Sequence, residues 1–432
     1  MSKLNLFKEV LKNEVFPALG CTEPIAVAYA ASIASKEIEG GIEEINITVD
    51  IGVYKNGLAI TVPNTGGEKG NLIAGVLGAL IKQPELKMEI LKGTREDMIG
   101  QAKALIRANK AKITYDETKT DLYIDVAIKT ERGSTRAVIE NGHTNLVYLE
   151  KNGRPIFEKK RNEIASKGQE YKSILKKMQI SEMIDLVDHL DDEDYKYIQR
   201  GIDMNLKISE AGQKLQKVGY YLSDLVKKGY FLDGIFSSSK ILTASASDAR
   251  MAGLSFPAMS SGGSGNQGIV AVLVPYNVGK YFKIEEKKIL QSIALSHLIN
   301  SYIKCFTGDL SPLCGCSIAA GVGAAVAIVY QQKGKDMEKI ALAVNNHVSD
   351  LGGMLCDGAK GGCALKVVSS TDSAIRSAYM ALNNHGITEL EGFVGKTAEE
   401  TIYYLSKISK IGMANVDDTM LEIMMGKNLS NV

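Results

Sequence analysis

Leu122-Tyr-Ile-Asp-Val-Ala-Ile128 alternates apolar with polar or small residues, the period of a strand with one buried face. Working outward, Ile45-Asn-Ile-Thr-Val-Asp-Ile51, Leu58-Ala-Ile-Thr-Val62, Arg136-Ala-Val-Ile-Glu140 and Asn145-Leu-Val-Tyr-Leu149 carry the same alternation or β-branched residues. Helical patterns near 69–82 and 94–109 fall between the second and third of these runs. Together they predict a small α+β domain over 41–165. Two helices are expected over 1–40, broken at Pro17-Ala-Leu-Gly-Cys-Thr-Glu-Pro24 and packed against the helical region. From about 170 the period becomes helical, with segments at 181–190, 194–230, 236–250, 266–278, 285–306, 316–333, 336–350, 364–383 and 396–408. The fold class is therefore a small α+β domain beside a larger all-α domain over 166–432, with Lys159–Lys177 as linker.

At 432 residues the chain exceeds one ordinary core. Lys plus Arg number 51 and Asp plus Glu 50, so no net field draws nucleic acid or an anionic membrane, and a small-molecule partner is expected. The start, Met-Ser-Lys-Leu-Asn-Leu-Phe-Lys-Glu, reads as an amphipathic helix and not a signal peptide, which places the protein in the cytoplasm. The apolar run Cys316–Tyr330 is too short to span a bilayer and reads as a buried helix. Six cysteines in a reducing compartment point away from disulfides.

Three of those cysteines sit in glycine-rich turns: Cys314 in Ser311-Pro-Leu-Cys-Gly-Cys316, and Cys356 and Cys363 in Cys356-Asp-Gly-Ala-Lys-Gly-Gly-Cys363. Glycine lets backbone turn sharply and aim N–H groups at sulfur, a setting that suits an iron–sulfur cluster. Three ligands would leave one iron free to act as a Lewis acid. Zinc on Cys314, Cys316, Cys356 and Cys363 is the metal alternative, although the gaps depart from zinc-knuckle spacing, and a metal-free site also stays open. Cys316 reads as packing. Cys21 lies at a helix entry in Gly20-Cys-Thr-Glu-Pro24, where Thr22 is expected to cap and the helix end to lower the thiol pKa. It is a candidate base, nucleophile or fourth thiolate, against the alternative of a small core residue.

Ser260-Ser-Gly-Gly-Ser-Gly-Asn-Gln-Gly268 precedes an apolar helix and offers backbone N–H groups to a carboxylate or phosphate. Asn64-Thr-Gly-Gly-Glu-Lys-Gly-Asn71 is a weaker loop of the same kind. His143, in Asn141-Gly-His-Thr-Asn145, stands in a turn between strands and is placed to hydrogen-bond a substrate. His189 and His297 fall within helices.

These motifs together resemble the L-cysteine desulfidase family, single-chain relatives of the iron–sulfur L-serine dehydratase α-chain, nearly end to end and in order. The resemblance implies a serine-dehydratase-α-like fold and a [4Fe-4S] cluster held by Cys314, Cys356 and Cys363, with Cys21 as the acceptor of the substrate α-proton. His143, Thr144, Ser261, Gly263, Ser264, Gly265 and Asn266 are then expected to hold the amino acid. The implied activity is elimination of L-cysteine to pyruvate, ammonia and sulfide, with L-serine dehydration as the alternative. A homodimer fits an apolar surface expected on the helical domain. Ser264-Gly-Asn-Gln-Gly268 also resembles the phosphate loop of pyridoxal-phosphate enzymes of the tryptophan synthase β type, for which Lys240 is the nearest Schiff-base lysine. A non-catalytic amino-acid sensor is the remaining alternative.

Overall fold

The computed structural model describes residues 3–119, 121–159 and 170–427. Ten residues of the expected linker, 160–169, lie outside them. The first part of the chain runs α1 (Lys3–Glu14), β1 (Pro17–Ala18), α2 (Thr22–Lys36), β2 (Ile42–Val49), α3 (Ile51–Gly57), α4 (Asn71–Ile81) and α5 (Glu96–Arg107). Strands β3 (Ala111–Tyr115), β4 (Tyr123–Thr130), β5 (Gly133–Glu140), β6 (Leu146–Lys151) and β7 (Arg154–Glu158) follow. Then come α6 (Glu170–Leu175), α7 (Ile180–Val187), α8 (Asp192–Gln213), α9 (Val218–Lys227), α10 (Ile235–Met251), β8 (Ala258–Met259) and α11 (Gly265–Tyr281). Helices α12 (Glu286–Thr307), α13 (Ala319–Lys333), α14 (Met337–Leu351), α15 (Cys363–Leu382), α16 (Ala398–Lys407) and α17 (Val416–Gly426) complete it.

The protein is a mixed α/β structure rich in helix. Strands order as β3-β2-β4-β5-β6-β7, with β2 and β3 parallel and the other pairs antiparallel. Helix α2 is buried nearly all round, because Ile25, Ala26, Val27, Ala30, Ala31 and Ala34 cover every side of it. Such a helix has to be enclosed. It lies between α4 and strands β4 and β5, in the core formed by the sheet, whereas α1 packs through Leu6, Phe7 and Val10 into the separate core of the later helices. The two N-terminal helices therefore part company, against the expectation that both join the helical layer. Helices α11 and α13 are likewise buried all round and form the centre of that layer. The apolar run read as a buried helix is α13. No helix of the described residues is long and apolar enough to cross a membrane.

Three further expectations are corrected. Leu58-Ala-Ile-Thr-Val62 is not a strand: it makes one bridge, Thr61 to Lys69, and folds back through Val62 N–H to Glu68 O (2.8 Å) and Gly70 N–H to Ile60 O (3.1 Å). Ile60 and Val62 are buried, so the alternation reported burial without a neighbouring strand to pair with. Strand β2 stops before Ile51 because Asp50 caps α3, its Oδ1 accepting from Val53 N–H (3.0 Å) and its Oδ2 from Tyr123 N–H (2.8 Å). The single helix expected over 194–230 is two, α8 and α9.

Helices α2 and α4 touch backbone to backbone at Gly78, where a Cβ would come within 2.0 Å of Ala28 O. Gly78→Ala is expected to destabilise the protein by about 2 kcal/mol or more, since backbone cannot yield as a side chain can. Gly100→Ala, in open space on α5, should instead be neutral or stabilise by up to about 1 kcal/mol through helix propensity. Denaturant unfolding of the two variants beside the parent checks the contrast.

Candidate active site

The sheet layer and the helical layer meet at a cleft open to solvent. Three straps build it. The first sews the N-terminal segment to the loop before α11: β1 pairs with β8, Ser260 N–H donates to Phe16 O (2.9 Å), and Gly263 N–H donates to Glu14 O (3.0 Å). This delivers Cys21, at the entry to α2, to the same cleft as Ser264. The second strap is a bridge between Leu313 and Leu355, with Cys314 N–H donating to Met354 O (2.8 Å) and Cys356 N–H to Pro312 O (2.7 Å). It sets the two cysteine turns side by side. The third comes from the sheet layer, where buried Lys55 of α3 donates from Nζ to Cys356 O (2.9 Å) and pairs with Asp417 at 2.5 Å.

The cleft is lined by Cys21, His143, Gly263, Ser264, Asn266, Cys314, Cys356 and Cys363, residues the sequence had scattered over more than 340 positions. Three expected residues are not among its walls. Ser261 is fully buried and held from behind, its Oγ 2.9 Å from His297 Nδ1 and accepting from Asn300 Nδ2 at 2.9 Å. Gly265 packs against Arg250, and Thr144 lines a neighbouring cavity with Asp309 and Lys172. Conversely, Glu23, Asn56, Arg250 and Lys366 line the cleft without having been singled out for chemistry there. Glu23 had a signal, since it lies two residues from Cys21 in the quoted motif. Arg250 had none, because a basic residue in the last turn of a helix reads as a partner of the helix dipole.

Cys21, Glu23 and His143 form a buried line. The Cys21 thiol donates to Glu23 Oε2 at 2.8 Å, and Glu23 Oε1 lies 3.8 Å from His143 Nε2. Asn56 Nδ2 approaches the same carboxylate at 3.5 Å. Burial would raise the Glu23 pKa, yet the facing His143 and the Cys21 thiol outweigh it and hold the carboxyl well below the usual range. Cys21 moves the other way: burial first, then the Glu23 charge, push its thiol well above normal, and Arg250 offsets only part of this. The lowered thiol pKa expected from the helix entry is thus overturned. Cys21 itself occupies the N-cap position, without a side-chain cap bond, so Thr22 does not cap.

The metal question turns on Cys314, Cys356 and Cys363. Cys314 is depressed by a hydrogen bond from the Cys316 thiol against the effect of burial, helped by Ser317 and Lys366. Burial raises Cys356 and Cys363, and the Cys314 charge adds to both. Among the described residues no three His, Cys, Asp or Glu side chains converge tightly enough to hold one ion. A cubane distributes its thiolates over separate irons, so three cysteines spaced around one cleft, each within electrostatic reach of the others, are the donor set it takes. The residues fit the cluster. Cys316 packs against the core of the helical layer, as expected, and also lines the cleft.

Several titratable or polar residues do not line the cleft. His297 and His347 are buried in the helical layer, His347 Nε2 lying 2.7 Å from Ser317 O, and burial lowers them to about 3 and about 4 respectively. Lys240 pairs with Asp372 at 2.9 Å and does not line the cleft, so it offers no Schiff-base lysine there. In the 64–71 loop, Asn64 Nδ2 is spent on Leu91 O (2.9 Å) and Asn71 Nδ2 on Val53 O (2.9 Å).

Known proteins resemble this chain over nearly its whole length. Residues 85–422 match the model of the serine dehydratase alpha chain family. A UPF0597 protein of Geobacter sulfurreducens is 62% identical, with the match covering 98% of this chain and 99% of the relative. UPF0597 proteins of Elusimicrobium minutum and Clostridium tetani are 54% and 40% identical over 98% and 99% of this chain, and over 100% of each relative. No solved structure matches. The chain belongs to the serine dehydratase alpha chain family.

Proposed function

We propose that the protein is a lyase that eliminates the β-substituent of a small L-amino acid, with L-cysteine as substrate and pyruvate, ammonia and sulfide as products. The observation that carries this reading is the meeting, in one cleft, of a buried Cys21–Glu23–His143 line with the Cys314, Cys356 and Cys363 thiols. Cys314, Cys356 and Cys363 are the residues that would hold a [4Fe-4S] cluster, which when bound supplies a Lewis-acidic iron for the leaving group. L-Serine is the second reading, favoured by the description of the family the chain belongs to.

Proton movement falls to the chain's own residues. Cys21 rests as a thiol, and its proton has an acceptor already placed at 2.8 Å in Glu23. Both resting shifts disfavour that proton on Glu23, so the Cys21 thiolate forms only transiently and in that state takes the Cα proton of the substrate. The electron pair of the broken Cα–H bond becomes the new double bond as the Cβ–S bond breaks, and sulfide leaves with the pair of that bond. The aminoacrylate tautomerises to an imine, and water converts the imine to pyruvate and ammonia. His143 balances the Glu23 charge while the carboxylate waits ionised.

Anaerobic assay of sulfide and pyruvate from L-cysteine, beside pyruvate from L-serine, tests the reading. Sulfide and pyruvate in equal amounts from L-cysteine are expected, and turnover of neither amino acid would overturn it. Cys21→Ser should lower kcat by about a hundred- to ten-thousand-fold, the usual contribution of a positioned base, while amino-acid binding persists. Glu23→Gln, which removes the acceptor of the Cys21 proton, should lower kcat in the same direction. Full activity in Cys21→Ser would contradict the assigned role.

A further inference from the structure

We infer that Arg250 is the receptor for the substrate α-carboxylate, so that the site selects a zwitterionic amino acid over the corresponding amine. The inference rests on the amino-acid reading above and deepens it. Arg250 ends α10, is 3% exposed and lines the cleft. Its Nε has no hydrogen-bond partner, and no carboxylate of the described residues forms an ion pair with it. A guanidinium stays charged at any pH the protein meets, and burying one without a counter-ion opposes folding. A chain that keeps such a group facing a cavity has left its partner to the ligand. The planar fork of an arginine takes a carboxylate through two parallel hydrogen bonds, a match that a lysine cannot reproduce.

The surroundings are arranged for the same ligand. At Gly265 a Cβ would come within 2.3 Å of Arg250 Nε, so the absence of a side chain there is what gives the guanidinium its place. Gly265 is also the first residue of α11, whose N-terminal end adds its partial positive charge on the same side. Cys21 packs with Met251, the neighbour of Arg250, and with Cys363. It is also close enough to Arg250 for the charge to be felt at its sulfur. Arg250, Cys21 and Cys363 all line the one cleft, and the carboxylate, Cα–H and β-substituent of one amino acid each need one of them. Two buried acceptors on the cleft wall, Asn56 Oδ1 and Asn266 Oδ1, lack partners and suit the α-ammonium.

The test is calorimetric titration of protein purified without oxygen, using L-alanine, which has the zwitterion and no leaving group, and ethylamine, which is L-alanine without its carboxylate. Wild type is expected to bind L-alanine and not ethylamine. Arg250→Gln should weaken L-alanine by about ten- to a hundred-fold, the range of hydrogen bonds to a charged group. Arg250→Lys should fall between the two, and Gly265→Ala, which crowds the guanidinium and leaves it in the chain, should weaken L-alanine in the same direction. Melting curves confirm which variants are folded, and one folded variant of the three suffices. A folded variant that binds L-alanine as wild type does, or a wild type that binds ethylamine equally well, overturns the role of Arg250 while turnover of L-cysteine still stands. Wild type that neither binds L-alanine nor turns over L-cysteine or L-serine overturns the amino-acid reading as well.

Discussion

The cleft depends on helices that cannot move. Helices α2, α11 and α13 are enclosed on all sides by apolar packing, so the positions of their N-terminal ends are fixed by the cores around them. Cys21 stands at the first of these ends, Ser264 and Asn266 at the second, and the Cys314–Ile318 turn leads into the third. Helix α15 opens with Cys363 itself. The unpaired N–H groups of helix N-termini gather anions and thiolates, and here the two layers of the protein turn several of them toward one volume. Site chemistry and core packing are one problem in this chain.

Local electrostatics then decide what each thiol is. A helix end is worth about 0.3–1 kcal/mol to an adjacent charge, whereas full burial can shift a pKa by several units. For Cys21 burial wins, and the ionised Glu23 at 2.8 Å reinforces it. The result is a thiol that must hand its proton to a neighbour before it can accept another. Cys314 lies in the same cleft yet goes the opposite way, because a hydrogen bond from Cys316 and the nearby Lys366 favour its anion. Cys21 is thereby kept protonated beside a carboxylate, and Cys314 is shifted toward its anion, while burial and the Cys314 charge raise Cys356 and Cys363.

Much of this was legible in the sequence because period reports burial. The helices from α10 to α16 fall where their apolar spacing puts them, and α2 and α13 announce themselves by apolar residues on every side. The same signal misled at Leu58–Val62, where burial of Ile60 and Val62 is real and the pairing partner is missing. Strands β3 and β7 escaped notice: β7 is an exposed edge with no apolar face to display. In the site, glycine-rich turns marked Cys314, Cys356 and Cys363, but no spacing rule could say that β1 and β8 would carry Cys21 to them. Arg250 was invisible for a different reason. Its significance lies in the partner it lacks, which only a three-dimensional inventory of its neighbours can reveal.

The central claim is that Cys314, Cys356 and Cys363 are brought together to hold an iron–sulfur cluster. Iron and acid-labile sulfide, measured on protein purified without oxygen, test it most directly, on the parent chain and on Cys314→Ser. About four of each per parent chain, with loss in the variant, is the result this account requires. A parent chain that binds no iron after anaerobic reconstitution, or a Cys314→Ser variant that keeps a full complement, would contradict it.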